Sequence, residues 1–382
     1  MDKTTITRAT YLIMAMFFLQ PLVFGAWLAL IPIVKDNLGL TKGELAAALL
    51  GAPIALIPSL QIAGRLLPRF GPRRFLMVFF PFQSAAALLV LSAWNGPALF
   101  AALFFVGAGV GFLEVAINVY AGRLEKRSGR HIMNRCHGFW ALGVAVGSAI
   151  MSFMLHMPWT GMIALGLASV IAALWGAGLM PRLGEDEATQ APPRRGFWNL
   201  PQALLAIAAF MFLATLVEGA MADWAAVYLS ERLGSPDARA GIAVTIFSAF
   251  LAGGRFVGDA IKTRLGAVRQ ARAMIACAML GLFLLILPLP LWLAYAGFAL
   301  VGFGVASAYP LGVSAIAALD DEYEASNIAI MATVAMGSFL VGPPLIGFVS
   351  EATSLAFAFG CLLPGLGIAL LLTRWLGGES RQ

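Results

Sequence analysis

The chain has 382 residues, 60% of them hydrophobic and 12% charged, with a formal net charge of +6. Soluble domains run at about 45–50% apolar and about 25% charged residues, so the composition excludes an ordinary water-soluble fold and points to a bilayer. Three cysteines, Cys136, Cys277 and Cys361, lie far apart in apolar segments, which fits neither a disulfide scaffold nor a metal-ligand spacing.

Apolar stretches punctuated by charge, proline and glycine fall at 11–34, 45–64, 75–93, 97–121, 136–156, 159–180, 202–229, 240–261, 272–289, 291–317, 327–349 and 354–373. Each is near the roughly 20 residues that cross about 30 Å of hydrocarbon. The first is too long for the core of a cleavable signal and is followed by further spans. A spanning segment must satisfy its own backbone, as a helix or a barrel strand. Strands would alternate apolar and polar over about ten residues, whereas 98–110 and 356–373 are apolar on every side. The expectation is an all-α membrane protein of twelve transmembrane helices.

Twelve spans place both termini on one side. If that side is the cytoplasm, 21 of the 25 Lys and Arg residues face it, and only Lys35, Lys42, Arg232 and Arg239 lie outside. That bias obeys the positive-inside rule and accounts for the basic charge without any nucleic-acid partner. One inner loop carries Asp320, Asp321, Glu322 and Glu324 with no Lys or Arg; acidic residues weigh little in topology.

Residues 181–201 form the longest polar stretch and contain Pro192, Pro193, Arg194 and Arg195. They read as a cytoplasmic linker between an N-terminal bundle, 1–180, and a C-terminal bundle, 202–382. The two parts echo each other. Gly51 and Gly64-Arg65-Leu66 recur 190 residues later as Gly241 and Gly254-Arg255-Phe256; Arg69-Phe70-Gly71 recurs 195 later as Arg264-Leu265-Gly266, and Gly107-x-Gly109 as Gly302-x-Gly304. Parallel six-helix repeats with a solute site between them are a known transporter construction; duplication for stability alone is the other reading.

The stretch Gly64-Arg65-Leu66-Leu67-Pro68-Arg69-Phe70-Gly71-Pro72-Arg73-Arg74 resembles the loop signature of the major facilitator superfamily, with Pro68 where the family usually has Asp. Asp259, after Gly254-Arg255-Phe256-Val257-Gly258, is a comparable carboxylate in the second part. Residues 118–125, 133–139 and 218–224 resemble a bacterial branch that includes YbjJ-type transporters, near the fucose-permease group. The resemblance implies two pseudo-symmetric six-helix bundles, alternating access, and a gating role for Gly64, Arg65, Arg69, Gly71, Arg73, Arg255 and Asp259. It names no solute.

Ionisable residues inside spans are costly and default to functional candidates. Glu114 lies inside span 4, with Asn118 one turn on and on the same face. Glu218 is near the middle of span 7, and Asp223 nearer its outer end, beside a Trp224 suited to the interface. His137 starts span 5 and titrates near physiological pH; a helix-start hydrogen bond to Glu125 is its plainer reading. Glu114, Glu218, Asp223 and His137 are therefore the proton-coupling candidates, each with a structural alternative. Arg255 and Asp259, at i and i+4, read as a structural and conformational pair.

Asn118, Gln61, Gln83, Ser307, Tyr309 and Asn327 are candidates for the solute cavity, with Trp27 and Trp140 as flat faces for a sugar or aromatic ring. Glycines at 107, 109, 111, 143, 147, 302 and 304 permit close helix contact. Gly337, Gly342, Pro343, Pro344 and Gly347 suggest a break or kink in span 11, and Pro53 and Pro58 in span 2 and Tyr309-Pro310 in span 10 read as bends. No Lys or Arg falls near mid-membrane on this reading, which favours a neutral or cationic solute.

No Gly-x-x-x-x-Gly-Lys-[Ser/Thr] motif, His-Glu-x-x-His or Gly-x-Ser-x-Gly occurs, so neither an ATP site nor an enzyme is expected, and no metal or cofactor. The expectation is a secondary transporter, driven by protons, working as a monomer in a bacterial inner membrane. A sensor or scaffold that keeps the fold without transporting is the alternative.

Overall fold

The computed structural model describes residues 3–129, 132–181, 183, 200–234, 238–319 and 323–377, and within them every regular element is helical. Before the linker come α1 (Lys3–Leu19), α2 (Leu22–Asn37), α3 (Lys42–Leu49), α4 (Gly51–Phe70), α5 (Pro72–Leu91), α6 (Gly96–Ser128), α7 (Met133–Phe153) and α8 (Pro158–Leu179). After it come α9 (Gln202–Leu233), α10 (Ala238–Leu265), α11 (Ala267–Ile286), α12 (Leu291–Val305), α13 (Ala308–Ala317), α14 (Glu324–Ala352), α15 (Leu355–Gly360), α16 (Leu363–Leu372) and a final 3-10 turn, Thr373–Leu376. All but the edges of the 181–201 linker lies outside the described residues, as do Arg130, Asp320, Asp321 and Glu322.

Eleven apolar helical stretches among the described residues are long enough to cross a membrane. One of them, Lys42–Leu91, runs for 50 residues, about 75 Å of helix and more than twice the hydrocarbon thickness. It is interrupted at Gly71, where φ is 73°. The Gly71 N–H donates to the Leu67 carbonyl at 2.8 Å, closing α4, and Pro72 opens α5 at the position where proline is tolerated. Gly266 repeats the device between α10 and α11, with φ 77° and its N–H on the Lys262 carbonyl at 2.8 Å. A side chain at either position would be held in a conformation that glycine alone adopts without strain.

Close packing also recurs at the 195-residue spacing. Gly107 of α6 lies on the Ala52 carbonyl of α4, and Gly302 of α12 on the Phe247 carbonyl of α10; Gly109 lies against Gln83 of α5, and Gly304 against Ala278 of α11. Added β-carbons there would run into these neighbours, so the glycines let the helices touch backbone to backbone. Outward, α8 presents an apolar stripe of Ile163, Leu167, Ile171 and Trp175, all exposed. At helical spacing, that is a face made for lipid.

The tenth span breaks between α12 and α13, just before Tyr309-Pro310, where a bend was expected. The first breaks at Gln20-Pro21, between α1 and α2, where none was expected, and α4 runs unbroken past Pro53 and Pro58. Likewise, Pro343 and Pro344 sit inside an uninterrupted α14, so no break occurs there; spanning helices tolerate proline when neighbours satisfy the freed carbonyls.

Candidate functional site

Glu218 lies at the middle of α9. Opposite it, ten residues inside the C-terminal end of α10, is Arg255. One guanidinium nitrogen donates to both Glu218 oxygens, at 2.9 and 3.1 Å, and the other donates to the backbone carbonyl of His137 at 3.3 Å. Arg255 is only 8% exposed and the Glu218 side chain 15%. Desolvation makes such a pair dependent on both partners. The expectation of no arginine near mid-membrane is therefore corrected, as is the i,i+4 pairing. Arg255 had been counted at the cytoplasmic end, but it projects onto α9, while Asp259 accepts a hydrogen bond from Asn134 of α7 instead.

On α6, Asn118 donates to the Glu114 carboxylate at 2.8 Å and to its backbone carbonyl at 2.9 Å, as their shared face predicts. The His137 ring stands edge-on to Phe17 at 5.3 Å and 6.5 Å from the Tyr309 ring. His137 and Tyr309 thus meet from helices on either side of the linker. Glu125 accepts from the backbone N–H groups of Ile132 and Met133, both at 3.1 Å, so it anchors the entry to α7.

The other candidates scatter. Trp27 is 2% exposed and sits in the packed core rather than along an open cavity. Trp224 is fully buried, against Gly347, so it is not the interfacial residue its neighbour Asp223 suggested. Asp223 is half-buried. Ser307 receives a hydrogen bond from Gln270 at 3.1 Å, on a small polar pocket that also includes Asn134 and Asp259. Asn327 is wholly buried, and its amide finds no partner among the described residues. Gln61, Gly64, Arg65 and Arg69 lie on exposed parts of α4, and Arg73 is half-buried at the start of α5.

Two features were not singled out in the sequence. Gln20, at the break in the first span, accepts the indole N–H of Trp140 at 2.7 Å; as one amide inside a long apolar run, it carried no signal of its own. Lys42 had served only as an outer charge. Its ammonium pairs with Glu231 at 3.1 Å and donates to the Ser350 carbonyl at 3.3 Å. Glu351 accepts from the backbone N–H groups of Lys42 and Gly43, at 2.8 and 3.3 Å, capping α3. One end of the molecule is thereby tied across the chain, from α3 to α9 and α14. Elsewhere α7 runs along α10, with Ser148 and Thr245 sharing a hydrogen bond at 2.9 Å and the Phe256 ring on Gly138.

The molecule is an all-helical membrane bundle with a buried ion pair between α9 and α10. The model of the Major Facilitator Superfamily matches residues 12–318, and the chain belongs to that family. A relative described as an uncharacterised MFS-type transporter of Yersinia pestis is 31% identical over 368 residues, covering 93% of this chain and 91% of the relative. Membrane protein MosC of Rhizobium meliloti is 28% identical, covering 93% and 86%. Among solved structures, a nucleoside transporter NupG superposes with a TM-score of 0.73 at 15% identity over 97% of this chain and all of that one. The Escherichia coli fucose:proton symporter FucP gives 0.65 at 17% identity, over 98% of both. At such identities the structures establish the shared fold. The protein is a multi-pass bacterial inner-membrane protein of a transporter family, not an enzyme.

Proposed function

We propose that the protein moves a small neutral or cationic solute by alternating access, coupled to protons, between two six-helix bundles of twelve spans joined by the 181–201 linker. The observation that carries this reading is the Glu218–Arg255 pair, which holds a carboxylate beside a cation at mid-membrane while Arg255 reaches the His137 carbonyl across the chain. Glu218 balances Arg255, so Glu114 is the surplus carboxylate. One proton there, with a neutral solute, leaves the loaded centre uncharged; a monocation would do the same. A neutral loaded centre crosses a low-dielectric barrier at the least cost. The glycine contacts and positive-φ turns repeated 195 residues apart support the two-bundle division, and the Lys/Arg asymmetry supports cytoplasmic termini.

With that orientation the Lys42 latch is on the outer face, and the conformation is one closed to the outside. Asp223 then lies outward of Glu218 as a second carboxylate on the proton path, and His137 and Tyr309 line the contact between bundles. Asn118, Gln61, Trp140 and Ser307 remain the solute-facing candidates; Trp27 and Asn327 are packed away in this conformation. Gly64, Arg65, Arg69, Gly71, Arg73 and Asp259 belong to the inner rim that changes between states. The narrower YbjJ-type assignment rests on residues 118–125, 133–139 and 218–224.

The test begins with a thermal-shift screen of hexoses, nucleosides and cationic drugs, since the fold is shared with a fucose and a nucleoside carrier. Uptake of any hit into proteoliposomes is then measured with and without a pH gradient. Saturable uptake that falls when the gradient is removed is expected; uptake indifferent to it would end the proton-coupled reading. A protein that binds a solute but never exposes it alternately to the two faces would be a sensor rather than a carrier.

A further inference from the structure

Pro21 has no N–H to give the Phe17 carbonyl, α1 ends at Leu19, and the carbonyl of Gln20, in the turn that follows, lies beyond the helix's own donors. The gap is filled from α5: the Gln83 amide donates to that carbonyl at 3.0 Å. Gln83 is itself 3% exposed and pressed close by Gly109. The Gln20 side chain, 2% exposed, then points its amide oxygen at the Trp140 indole N–H, at 2.7 Å. A buried amide thus joins three helices at a bend, and every link in it has a chemical reason.

An indole carries one donor and no acceptor. When that donor is satisfied inside the protein, what Trp140 has left to offer is the face of its ring. Phe24, its aromatic neighbour, stands 6.4 Å away and tilted by 40°, so it does not stack over that face. Trp140 itself is half-buried.

We infer that Gln20 is a positioning residue that locks the Trp140 ring as a platform for a solute with a flat ring face, such as a sugar ring or a heterocyclic base. Locking one rotamer before binding removes an ordering cost from each binding event. Ring-face contact is tolerant of polar substituents at the ring edge, so it selects for ring shape while the rest of the cavity reads the hydroxyl or amide groups. This inference rests on the reading of a central solute cavity above, but its test does not depend on transport.

The full-length protein is labelled with 5-fluorotryptophan in lipid nanodiscs, and its fluorine NMR spectrum is recorded. The nine tryptophans are separated by assigning Trp140 as the signal lost in Trp140→Phe. In Gln20→Leu the Trp140 signal is expected to shift and broaden, while Gln20→Glu, which keeps an acceptor oxygen, restores its sharpness. Titration with uridine and with methyl β-D-glucopyranoside is expected to move the Trp140 signal for at least one of them, with affinity about tenfold weaker in Gln20→Leu. Choline, which has no ring, is expected to leave it in place. An unmoved Trp140 signal in Gln20→Leu would overturn the positioning role. A response to choline alone, or to none of the three, would overturn the ring platform. Failure of the carrier reading would show separately, as absent alternation of accessibility with these resonances unchanged.

Discussion

Arg255 holds Glu218 by two hydrogen bonds from a single nitrogen while its second nitrogen holds the His137 carbonyl. That one guanidinium therefore belongs to an ion pair within the C-terminal helices and to a contact with the N-terminal ones. Neutralising Glu218 releases half of what fixes Arg255 and leaves the other half to bear the strain. A change of charge at α9 is in this way felt at α7.

Removing one partner of this pair is expected to be worse than removing both. A buried charge left without its partner costs about 3–5 kcal/mol, whereas replacing both by neutral groups is often close to neutral. Glu218→Gln and Arg255→Gln should each lower the melting temperature of purified protein, and the double variant should recover most of the loss. If the double variant is as unstable as the sum of the singles, the two residues act independently and the proposed coupling has no basis.

The Lys42 latch is a lighter device. Glu231 is 41% exposed and Lys42 20%, and exposed pairs contribute about 0–1 kcal/mol. Lys42→Ala or Glu351→Ala should therefore change the balance between outward-open and outward-closed forms by no more than roughly fivefold per variant. Labelling a cysteine at Ala29, which lies against Gly241, with an impermeant maleimide reads the shift, after Cys361 is replaced by serine. Faster labelling in both variants is the expected result; an unchanged rate removes the latch from the cycle.

Glycine-to-valine substitution separates contact glycines from free ones. At Gly107 and Gly302 the new side chain meets a carbonyl oxygen of the facing helix, and overpacking of this kind costs about 1–3 kcal/mol. At Gly64 and Gly253 nothing lies within 4 Å. Thermal melts should show Gly107→Val and Gly302→Val strongly destabilised, with Gly64→Val and Gly253→Val much closer to wild type.

Gly71→Ala and Gly266→Ala should behave alike, because both turns use φ above 70°. With ψ of 154° and 158°, both lie in a region essentially reserved for glycine, where another residue costs about 1–3 kcal/mol. Each single variant should lower the melting temperature by a similar amount. Unequal losses would mean that the two turns, though alike in geometry, carry different loads.

Hydropathy, charge asymmetry and the spacing of glycines suffice to read an all-helical membrane chain, its apolar segments and its family, because each is a property of residues along the line of the chain. Glu114 and Asn118 were legible for the same reason: residues four apart on one helix share a face whatever surrounds them. The partners of Arg255, Asp259 and Trp140 were not. Each lies on a different helix, 37, 125 and 120 residues away, and no periodicity encodes which helices meet or in what register. Trp27 and Trp224 illustrate the converse: a tryptophan in an apolar run reads equally as belt, cavity wall or core. The chain alone determined that the protein lives in the bilayer and which carboxylates, Glu114, Glu218 and Asp223, are costly there; the depth of Arg255 it did not give. Only packing decided which of those charges neutralise each other, since a buried charge is stabilised by whatever lies within a few ångströms of it, and that distance is set by the tertiary fold.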